Sequence, residues 1–275
     1  MAPESSDSVE IIRADFPRGN FHATVMDFDG TLSLMRRGWQ AIMTGMMVEL
    51  LRATGTDETP DQLTRLVEDF IARLTGKQTI HQMIQLRDEI LQRGGRPLEP
   101  SEYKTRFDGL LLEQVSRRAA NLRNGSATPE ELTIPGSREL LKRLQQSGTL
   151  LVLASGPDLG YVRHDLRLLD LAGFFGPRVH GALDDPARFS KAMVVKRLLQ
   201  ETGAQGSQLL GFGDGQVEIE EIKKVGGTAV GVASNEDSRR GINSFKRQRL
   251  IAAGADLIIG DYRCLDRLFS LLNIP

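Results

Sequence analysis

The stretch V-M-D-F-D-G-T-L-S, residues 25–33, places Asp27 and Asp29 one residue apart, directly after an apolar run. Two carboxylates this close repel each other and resist burial. The glycine and threonine that follow are typical of a loop that holds a phosphate group. The stretch therefore predicts a strand whose end carries a charged site, at which a cation must offset the repulsion between the two carboxylates.

Apolar segments of strand length set the class of the fold. The first is F-H-A-T-V-M-D at 21–27, and the others lie at 149–154, 208–212, 228–232 and 256–260. Helical patterns lie between the later strands, and a final helix follows the last one. Short apolar strands that alternate with helices indicate a parallel sheet with helices on both faces. We therefore predict an α/β fold.

Residues 38–121 interrupt this alternation with helical patterns only. Apolar residues recur there at intervals of three and four, which is the spacing of amphipathic helices. We therefore predict three parts: an N-terminal extension at 1–20 whose start is disordered, an α/β core formed by 21–34 and 125–275, and an all-helical insert at 35–124.

The overall charge excludes some classes of partner. The 275 residues include 35 Lys and Arg against 36 Asp and Glu, which gives a formal net charge of −1. This balance offers no global attraction to nucleic acid or to an anionic membrane.

The single cysteine, Cys264, rules out an intrachain disulfide and a cysteine metal cluster. The N-terminus has neither the basic start nor the apolar stretch of a signal peptide, so we expect a cytoplasmic protein without a membrane span.

Further polar elements stand at the ends of other predicted elements. Ser155 and Gly156 follow a strand, Asp214 lies in the glycine-rich stretch G-F-G-D-G, and Lys191 begins a helix. Each feature alone is more often a turn, a helix cap or a solvent-facing side chain. Together they favour a site, because ligands of an open parallel sheet bind beyond the carboxyl ends of its strands.

The residue types at these positions complete one another chemically. Asp27, Asp29 and Asp214 carry the hard oxygen ligands that Mg²⁺ prefers, and a divalent cation would offset the repulsion between the two neighbouring aspartates. Lys191 and Ser155, with backbone N–H groups of the nearby glycines, could hold a phosphate dianion.

Other nucleotide-binding and nucleophile motifs are absent from the sequence. There is no G-x-x-x-x-G-K-[ST] phosphate loop, and Gln216 stands where a dinucleotide-binding fingerprint needs glycine. Ser155 lies in L-A-S-G-P instead of a G-x-S-x-G elbow. These absences exclude a nucleotide-binding phosphate loop, a dinucleotide-binding fingerprint and a serine nucleophile elbow.

The order D-F-D-G-T, Ser155, Lys191 and G-D-G, with an acidic residue four positions beyond Asp214, resembles the haloacid dehalogenase superfamily. The helical insert between the first two motifs resembles the cap of its phosphatase and phosphomutase branch. The resemblance extends from about Phe21 to Leu272. It implies a Rossmann-like parallel sheet core with helices on both faces and an inserted all-helical cap domain.

The resemblance also implies a mechanism. Asp27 would be the nucleophile that forms an aspartyl phosphate, and Asp29 would be the general acid and then the general base. Mg²⁺ would be held by Asp27, the main-chain carbonyl of Asp29, and Asp214. The phosphoryl group would be bound by Thr31, Ser155, Gly156 and Lys191.

One motif position departs from the commoner family pattern. Glu218 stands where the family usually has aspartate. Its extra methylene lengthens the reach of the carboxylate, so we expect a contact to the metal through a water molecule instead of a direct one.

These implications favour a Mg²⁺-dependent phosphomonoesterase of a small phosphorylated metabolite, such as a sugar phosphate, acting as a monomer or homodimer. A phosphomutase similar to β-phosphoglucomutase would use the same core and stays open. A phosphonate hydrolase would need a Schiff-base lysine in the cap, for which Lys77 is a candidate. A non-catalytic binding module on this fold is disfavoured, because the aspartates and the lysine of the motifs are all present.

The stretch L-T-G-K-Q-T at 74–79 breaks two helical patterns of the insert. Its glycine permits a tight turn, from which Lys77 and Thr79 would present polar groups. The resemblance implies that such a loop faces the core site and recognises the leaving group. An ordinary helix–helix turn with a solvated lysine is an equally open interpretation.

The connection at 233–254 is longer than is usual in the family. We interpret it as a solvated loop and helix. The alternative is an edge that binds a partner or the substrate through basic residues, namely Arg239, Arg240, Lys246 and Arg247.

Overall fold

The computed structural model describes residues 9–183 and 185–275. The predicted disorder of the first eight residues lies outside these ranges. The strands and helices follow one another as β1 (Val9–Ile11), β2 (Ala23–Met26), α1 (Trp39–Arg52), α2 (Pro60–Leu74), α3 (Ile80–Gln92), α4 (Pro100–Arg123), α5 (Ser137–Gln146), β3 (Leu150–Asp158), α6 (Leu159–Leu168), α7 (Ala172–Phe175), β4 (Val179–Ala182), α8 (Lys191–Thr202), β5 (Leu209–Gly213), α9 (Gln216–Lys224), β6 (Thr228–Val232), α10 (Ser244–Ala252), β7 (Leu257–Ile259) and α11 (Leu265–Leu272). Short 3-10 helices lie at Pro129–Leu132, Pro186–Arg188, Gly206–Gln208 and Tyr262–Cys264.

Within the described residues, the strands form one sheet in the order β1-β7-β6-β5-β2-β3-β4. β1 runs antiparallel to β7, and the other neighbouring pairs are parallel. Met26 of β2 lies opposite Leu153 of β3 on one side and Phe212 of β5 on the other. The strand order reverses at β2, because the chain adds β3 and β4 on one side and β5 to β7 on the other. The carboxyl end of β2 is therefore the switch point at which open α/β sheets bind their ligands.

Helices cover both faces of this sheet. All residues of β2, β5 and β6 are buried, as expected for central parallel strands. Successive residues of a strand point to opposite faces, and Val25 and Met26 accordingly belong to two different apolar clusters. One cluster joins the sheet to α8, α9 and α10, and the other joins it to α5, α11 and the inserted helices. These observations confirm the predicted α/β fold with a mostly parallel sheet.

The inserted segment is helical, as its apolar spacing predicts. It consists of α1 to α4, and the structure shows no strand between residues 39 and 123, all of which it describes. Thr59 is the N-cap of α2 and forms a capping box with Gln62. The Thr59 hydroxyl accepts a hydrogen bond from the N–H of Gln62 at 3.3 Å, and Gln62 Oε1 accepts one from the N–H of Thr59 at 2.8 Å. The division of the chain into a core and a cap domain at 35–124 stays a prediction.

The points at which the insert leaves and rejoins the core lie side by side. The N–H of Leu34 donates to the carbonyl of Leu132 at 2.8 Å, and Ser33 forms an antiparallel bridge with Thr133. This pairing brings the insert next to the carboxyl end of β2. None of the helices in the described ranges combines the length and the apolar character needed to cross a membrane.

Candidate active site

Asp27 is the first residue after β2 and lies at the switch point. Its N–H donates to the carbonyl of Phe212 at 3.0 Å, which continues the pairing of β2 with β5. Lys191 Nζ donates to Asp27 Oδ1 at 2.6 Å. Burial raises the pKa of Asp27 well above the usual range of an aspartate, although the charge of Lys191 opposes this shift.

Lys191 connects two acidic residues of the site. It is the first residue of α8, whose N-terminus is capped by the Ser190 side chain. Its ammonium group also contacts Glu218 Oε1. Burial alone lowers the pKa of Lys191, but Asp27 and Glu218 outweigh burial and raise the pKa above the usual lysine range. Lys191 is therefore a fixed cation between the predicted nucleophile and Glu218.

Asp29 lies two residues beyond Asp27 and is held differently. Neither of its carboxylate oxygens has a hydrogen-bond partner among the described residues, and Arg36 Nη1 lies 3.9 Å from Oδ2. Burial raises the pKa of Asp29 to about 7, although Arg36 opposes the shift. A carboxylic acid with this pKa can both donate and accept a proton near neutral pH. This property suits the predicted acid and base role.

Arg36 is a residue of the site that the sequence analysis missed. It is only 6% exposed, and its Nη1 donates to Asp165 Oδ2 at 2.8 Å. Asp165, on α6, is itself buried. The available signal was the position of Arg36 at the end of the apolar run L-S-L-M, which predicts an inward-facing charge that needs a partner.

Thr31 and Ser155 bring buried hydroxyl groups to the ends of two neighbouring strands. They are 0% and 1% exposed, and neither Oγ atom has a hydrogen-bond partner in the described chain. Buried polar groups are normally paired, so these two hydroxyls indicate a polar ligand. Ser155 does not follow the strand as predicted: β3 continues to Asp158, with an irregular pairing to β4 after Ala154.

Asp214 follows β5 and lies against the loop of the double-aspartate motif. A Cβ atom at Gly30, where φ is 77°, would overlap the Asp214 carboxylate, so this close approach requires glycine. Lys246 Nζ donates to Asp214 Oδ2 at 2.8 Å and to Glu236 Oε1 at 2.6 Å. A lysine of the long connection after β6 thus reaches the predicted metal ligand.

The segment 233–254 was predicted to be a solvated loop and helix, but most of its basic side chains contact the protein itself. Lys246 is only 9% exposed, because α10 packs on the sheet through Leu250, which lies on the same face four residues later. Arg239 donates to the carbonyl of Thr133 at 3.1 Å, and Arg247 pairs with Glu10. Three of the four basic residues therefore bind the chain itself, while Arg240 is exposed.

The predicted Mg²⁺ ligands can be tested for fit. One oxygen of Asp27 and one of Asp214 receive the lysine hydrogen bonds, which leaves the second oxygen of each for a cation. The described residues contain no group of three or more His, Cys, Asp and Glu side chains arranged to hold a metal. The predicted set needs only two carboxylate side chains, since Asp29 would contribute its carbonyl. The residues present therefore fit a metal with mixed ligands, and the site stays a prediction.

The loop between α2 and α3, residues 75–79, is named here the cap loop, and it lies directly against the core. An ideal Cβ atom at Gly156 would lie 2.6 Å from the carbonyl oxygen of Lys77, and one at Gly76 would lie 2.6 Å from Glu218 Oε2. Both approaches are closer than real Cβ atoms allow, so they depend on glycine. The cap loop therefore faces the core, while roles for Lys77 and Thr79 in substrate binding stay predictions.

A cavity of about 960 Å³ lies between the insert and the core. Its lining includes Asp27, Asp29, Ser155, Gly156, Asp214 and Glu218 from the core, and Lys77, Thr79, Gln82 and Phe107 from the insert. Thr31 and Lys191 do not line the cavity. Lys191 is connected to the lining by its hydrogen bond to Asp27. The cavity thus gathers most of the predicted site residues.

Comparison with known proteins places this arrangement in a family. The model of the haloacid dehalogenase-like hydrolases matches residues 21–226, which is most of the chain. The protein belongs to the haloacid dehalogenase-like hydrolase family. The comparison with curated proteins found no match to this hydrolase.

Solved structures share the fold of this hydrolase along almost its whole length. A predicted phosphoglycolate phosphatase from Haemophilus somnus 129PT has a TM-score of 0.58 at 17% identity, over 91% of this chain and 98% of the other. A β-phosphoglucomutase from Clostridium difficile has a TM-score of 0.58 at 14% identity, over 92% and 97%. A family hydrolase from Deinococcus radiodurans R1, with bound phosphate and sodium, has a TM-score of 0.53 at 17% identity, over 94% and 97%. At these identities the likeness establishes the fold alone.

Proposed function

We propose that the protein is a Mg²⁺-dependent phosphomonoesterase of a small phosphorylated metabolite and that Asp27 carries the phosphoryl group. One observation carries the proposal: buried polar atoms of Asp29, Thr31 and Ser155, which have no hydrogen-bond partner in the part of the chain that the structure describes, accompany a predicted nucleophile paired with a lysine. Buried hydroxyls next to fixed cations are the groups that bind phosphate oxygens. The Deinococcus relative of the same fold holds phosphate, which supports this ligand class.

The first half-reaction transfers the phosphoryl group to the protein. A carboxylate oxygen of Asp27 bonds to phosphorus, the bond between phosphorus and the ester oxygen breaks, and Asp29 donates its proton to the leaving oxygen. Lys191 binds the phosphoryl oxygens together with Thr31 and Ser155. Mg²⁺, bound by Asp27, the main-chain carbonyl of Asp29, and Asp214, would neutralise charge on the phosphoryl oxygens.

The second half-reaction restores the protein. Asp29, now a carboxylate, accepts a proton from a water molecule whose oxygen bonds to phosphorus. The bond between phosphorus and Asp27 breaks, which releases inorganic phosphate. The pKa of Asp29, raised to about 7 by burial, suits a group that must hold the proton in one step and lack it in the next.

A phosphomutase is the second candidate. The cavity of about 960 Å³ has room for a phosphorylated substrate to turn and accept the phosphoryl group on another hydroxyl. Release of inorganic phosphate without an added bisphosphate supports the phosphomonoesterase, whereas isomerisation that depends on a bisphosphate supports the mutase.

The deciding experiment replaces the nucleophile. Asp27→Asn should lower phosphate release from acetyl phosphate and from a panel of phosphorylated metabolites by several orders of magnitude, because an amide is a poor nucleophile. Asp266→Asn, whose side chain is fully exposed, is the matched control and should retain activity. Near-normal turnover by Asp27→Asn, in a preparation free of deamidated protein and other phosphatases, would refute the proposal.

A further inference from the structure

Two buried hydroxyl groups hold the main chain of the loop at 28–31, which contains the second aspartate of the motif. Ser234 Oγ donates to the carbonyl of Gly30 at 2.8 Å, and Tyr262 Oη donates to the carbonyl of Thr31 at 2.9 Å. The two side chains are 2% and 1% exposed, so water does not compete for these bonds. Two consecutive carbonyls of the loop are therefore fixed from outside it.

The carbonyl of Asp29 is left unpaired between neighbours that are held. The Phe28 carbonyl accepts from the N–H groups of residues 31–33, whereas no hydrogen bond within the described residues reaches the Asp29 carbonyl. The next N–H, that of Gly30, donates to the carbonyl of Ser33 at 2.9 Å. The N–H and C=O groups of a trans peptide point in opposite directions, so this bond turns the Asp29 carbonyl away from Ser33. The loop therefore leaves unpaired the carbonyl that the proposed function assigns to Mg²⁺.

The glycine at position 30 makes the loop depend on support from outside. Gly30 has a φ of 77°, and glycine changes between positive and negative φ at little cost. The local chain therefore does not fix the direction of the Gly30 carbonyl by itself. The hydrogen bond from Ser234 removes this freedom.

Ser234 is itself fixed by its neighbours. Lys246 Nζ donates to Ser234 Oγ at 3.2 Å. Because an ammonium group only donates and a carbonyl only accepts, the Ser234 proton is directed to the Gly30 carbonyl. The main chain of Ser234 also forms an antiparallel bridge with Ile242. The same ammonium group binds Asp214, so one network connects the two loops that carry the predicted metal ligands.

Tyr262 follows β7, and its position is fixed by packing. Its N–H donates to the carbonyl of Pro135 at 2.9 Å, and its ring lies edge-on to that of Phe212, with the centroids 6.1 Å apart. Phe212 lies on β5, two residues before Asp214. A buried aromatic side chain thus joins the Thr31 carbonyl to the strand that leads to another predicted metal ligand.

We propose that Ser234 and Tyr262 are positioning residues for the metal site: their hydroxyl groups fix the loop at 28–31 so that the Asp29 carbonyl stays free to bind Mg²⁺. The inference rests on the proposed function, which assigns that carbonyl to the metal. Partners that orient metal ligands typically contribute about 10- to 100-fold to metal affinity.

Calorimetry with Mg²⁺ on the metal-free protein tests the inference. Ser234→Ala and Tyr262→Phe each remove one hydroxyl donor and should raise the Kd for Mg²⁺ about 10- to 100-fold. Thr228→Val is the matched control, because the buried Thr228 hydroxyl donates to the carbonyl of Pro17 at 2.6 Å, at the opposite end of β6 from Ser234. This control should lower the urea midpoint by a similar amount and leave the Kd for Mg²⁺ unchanged.

The two variants together separate positioning from a change of charge. Ser234→Ala removes a partner of Lys246 as well as the donor to Gly30, whereas Tyr262→Phe leaves the bonds of Lys246 in place. Weaker Mg²⁺ binding in both variants is therefore the expected result. A loss of affinity in one variant alone, or an equal loss in Thr228→Val, would overturn the inference.

Turnover distinguishes failure of this inference from failure of the proposed function. Mg²⁺ affinities that follow the expected pattern, without phosphate release from any ester of the panel, would overturn the phosphomonoesterase but keep the two positioning residues. Phosphate release by the wild type, with an unchanged Kd for Mg²⁺ in both variants, would keep the proposed function and overturn the inference.

Discussion

Lys246 Nζ lies 2.8 Å from Asp214 Oδ2 and joins the long connection after β6 to the predicted metal ligand. The same ammonium group donates to Glu236 Oε1 at 2.6 Å. Burial alone lowers the pKa of Lys246, but the two carboxylates outweigh burial and raise it above the usual lysine range. Lys246 therefore neutralises part of an acidic site whose other carboxylates face the cavity.

Lys246→Met should destabilise the protein, because it leaves the buried Asp214 and the partly buried Glu236 without their cation. Removing one partner of a buried ion pair costs about 3–5 kcal/mol, and urea unfolding measures this loss. Lys224→Met removes a surface pair with Glu221, in which the lysine is 62% exposed, and should cost at most about 1 kcal/mol.

Mg²⁺ should raise the melting temperature of Lys246→Met more than that of the wild type. A divalent cation beside Asp214 would restore the positive charge that the variant has lost, so its binding would add more stability there. Thermal unfolding with and without Mg²⁺ measures both shifts. Equal shifts in the two proteins would show that Lys246 and the metal act independently.

Asp29→Asn should slow the release of poor leaving groups most strongly. The amide cannot donate a proton to the leaving oxygen, and general acid catalysis is typically worth about 10²–10⁴-fold. Alkyl phosphates need that proton, whereas aryl phosphates with acidic leaving groups need it less. Comparing kcat/KM for both ester types in one preparation measures the difference. An equal loss for the two types would contradict the role of Asp29 as the general acid.

The positions of the motif residues could be predicted because each is tied to a strong local pattern. The apolar strand before Asp27 and the glycine-rich stretch around Asp214 fix two neighbouring strand ends, and a parallel sheet brings such ends together. β1 and β4 were missed for the opposite reason. β1 is a three-residue edge strand in the N-terminal extension, and β4 reads V-H-G-A, in which histidine and glycine weaken the strand pattern.

Lys246 shows why contacts across the fold are harder to predict than motifs. Its environment is set by the packing of α10, which no single motif encodes. The usable signal was its spacing from Leu250, because residues four apart share a helix face and Leu250 is fully buried.

The stability of the protein should fall in mild acid through His180 on β4. Burial lowers the pKa of His180 from 6.5; Arg197 and Arg163 act in the same direction and Glu201 opposes them. The folded state therefore binds fewer protons than the unfolded state just below pH 6.5, and stability rises with pH in that window. This contribution of His180 to stability is complete above the pKa that its side chain has in the unfolded chain. It is lost as pH falls towards the lower pKa that the side chain has in the folded protein.

His180→Gln should reduce this dependence on pH. The free energy of unfolding, measured in urea at about pH 7.5 and about pH 5.5, should change less between the two conditions in the variant than in the wild type. His22→Gln, at an exposed position, serves as the control. An unchanged pH dependence in His180→Gln would assign the acid sensitivity to other groups.

The contact between Gly156 and the carbonyl oxygen of Lys77 sets how closely the cap loop approaches the predicted phosphate-binding residues. A methyl group at this position would lie 2.6 Å from that oxygen, so the loop or β3 must move. At Gly173, on α7, no atom of the described residues lies within 4 Å of an ideal Cβ, so this position offers a matched substitution without such a contact.

Gly156→Ala should therefore lower kcat/KM more than it lowers stability. Displacing the cap loop opens the cavity beside Asp27, and a misplacement of about 1 Å can cost roughly 10²-fold in rate. The accompanying overpacking should cost about 1–3 kcal/mol in urea unfolding, too little to unfold the chain at assay temperature. Gly173→Ala should leave kcat/KM unchanged. If Gly156→Ala folds and turns over the best panel substrate at the wild-type rate, the close approach of the cap loop is not needed for catalysis.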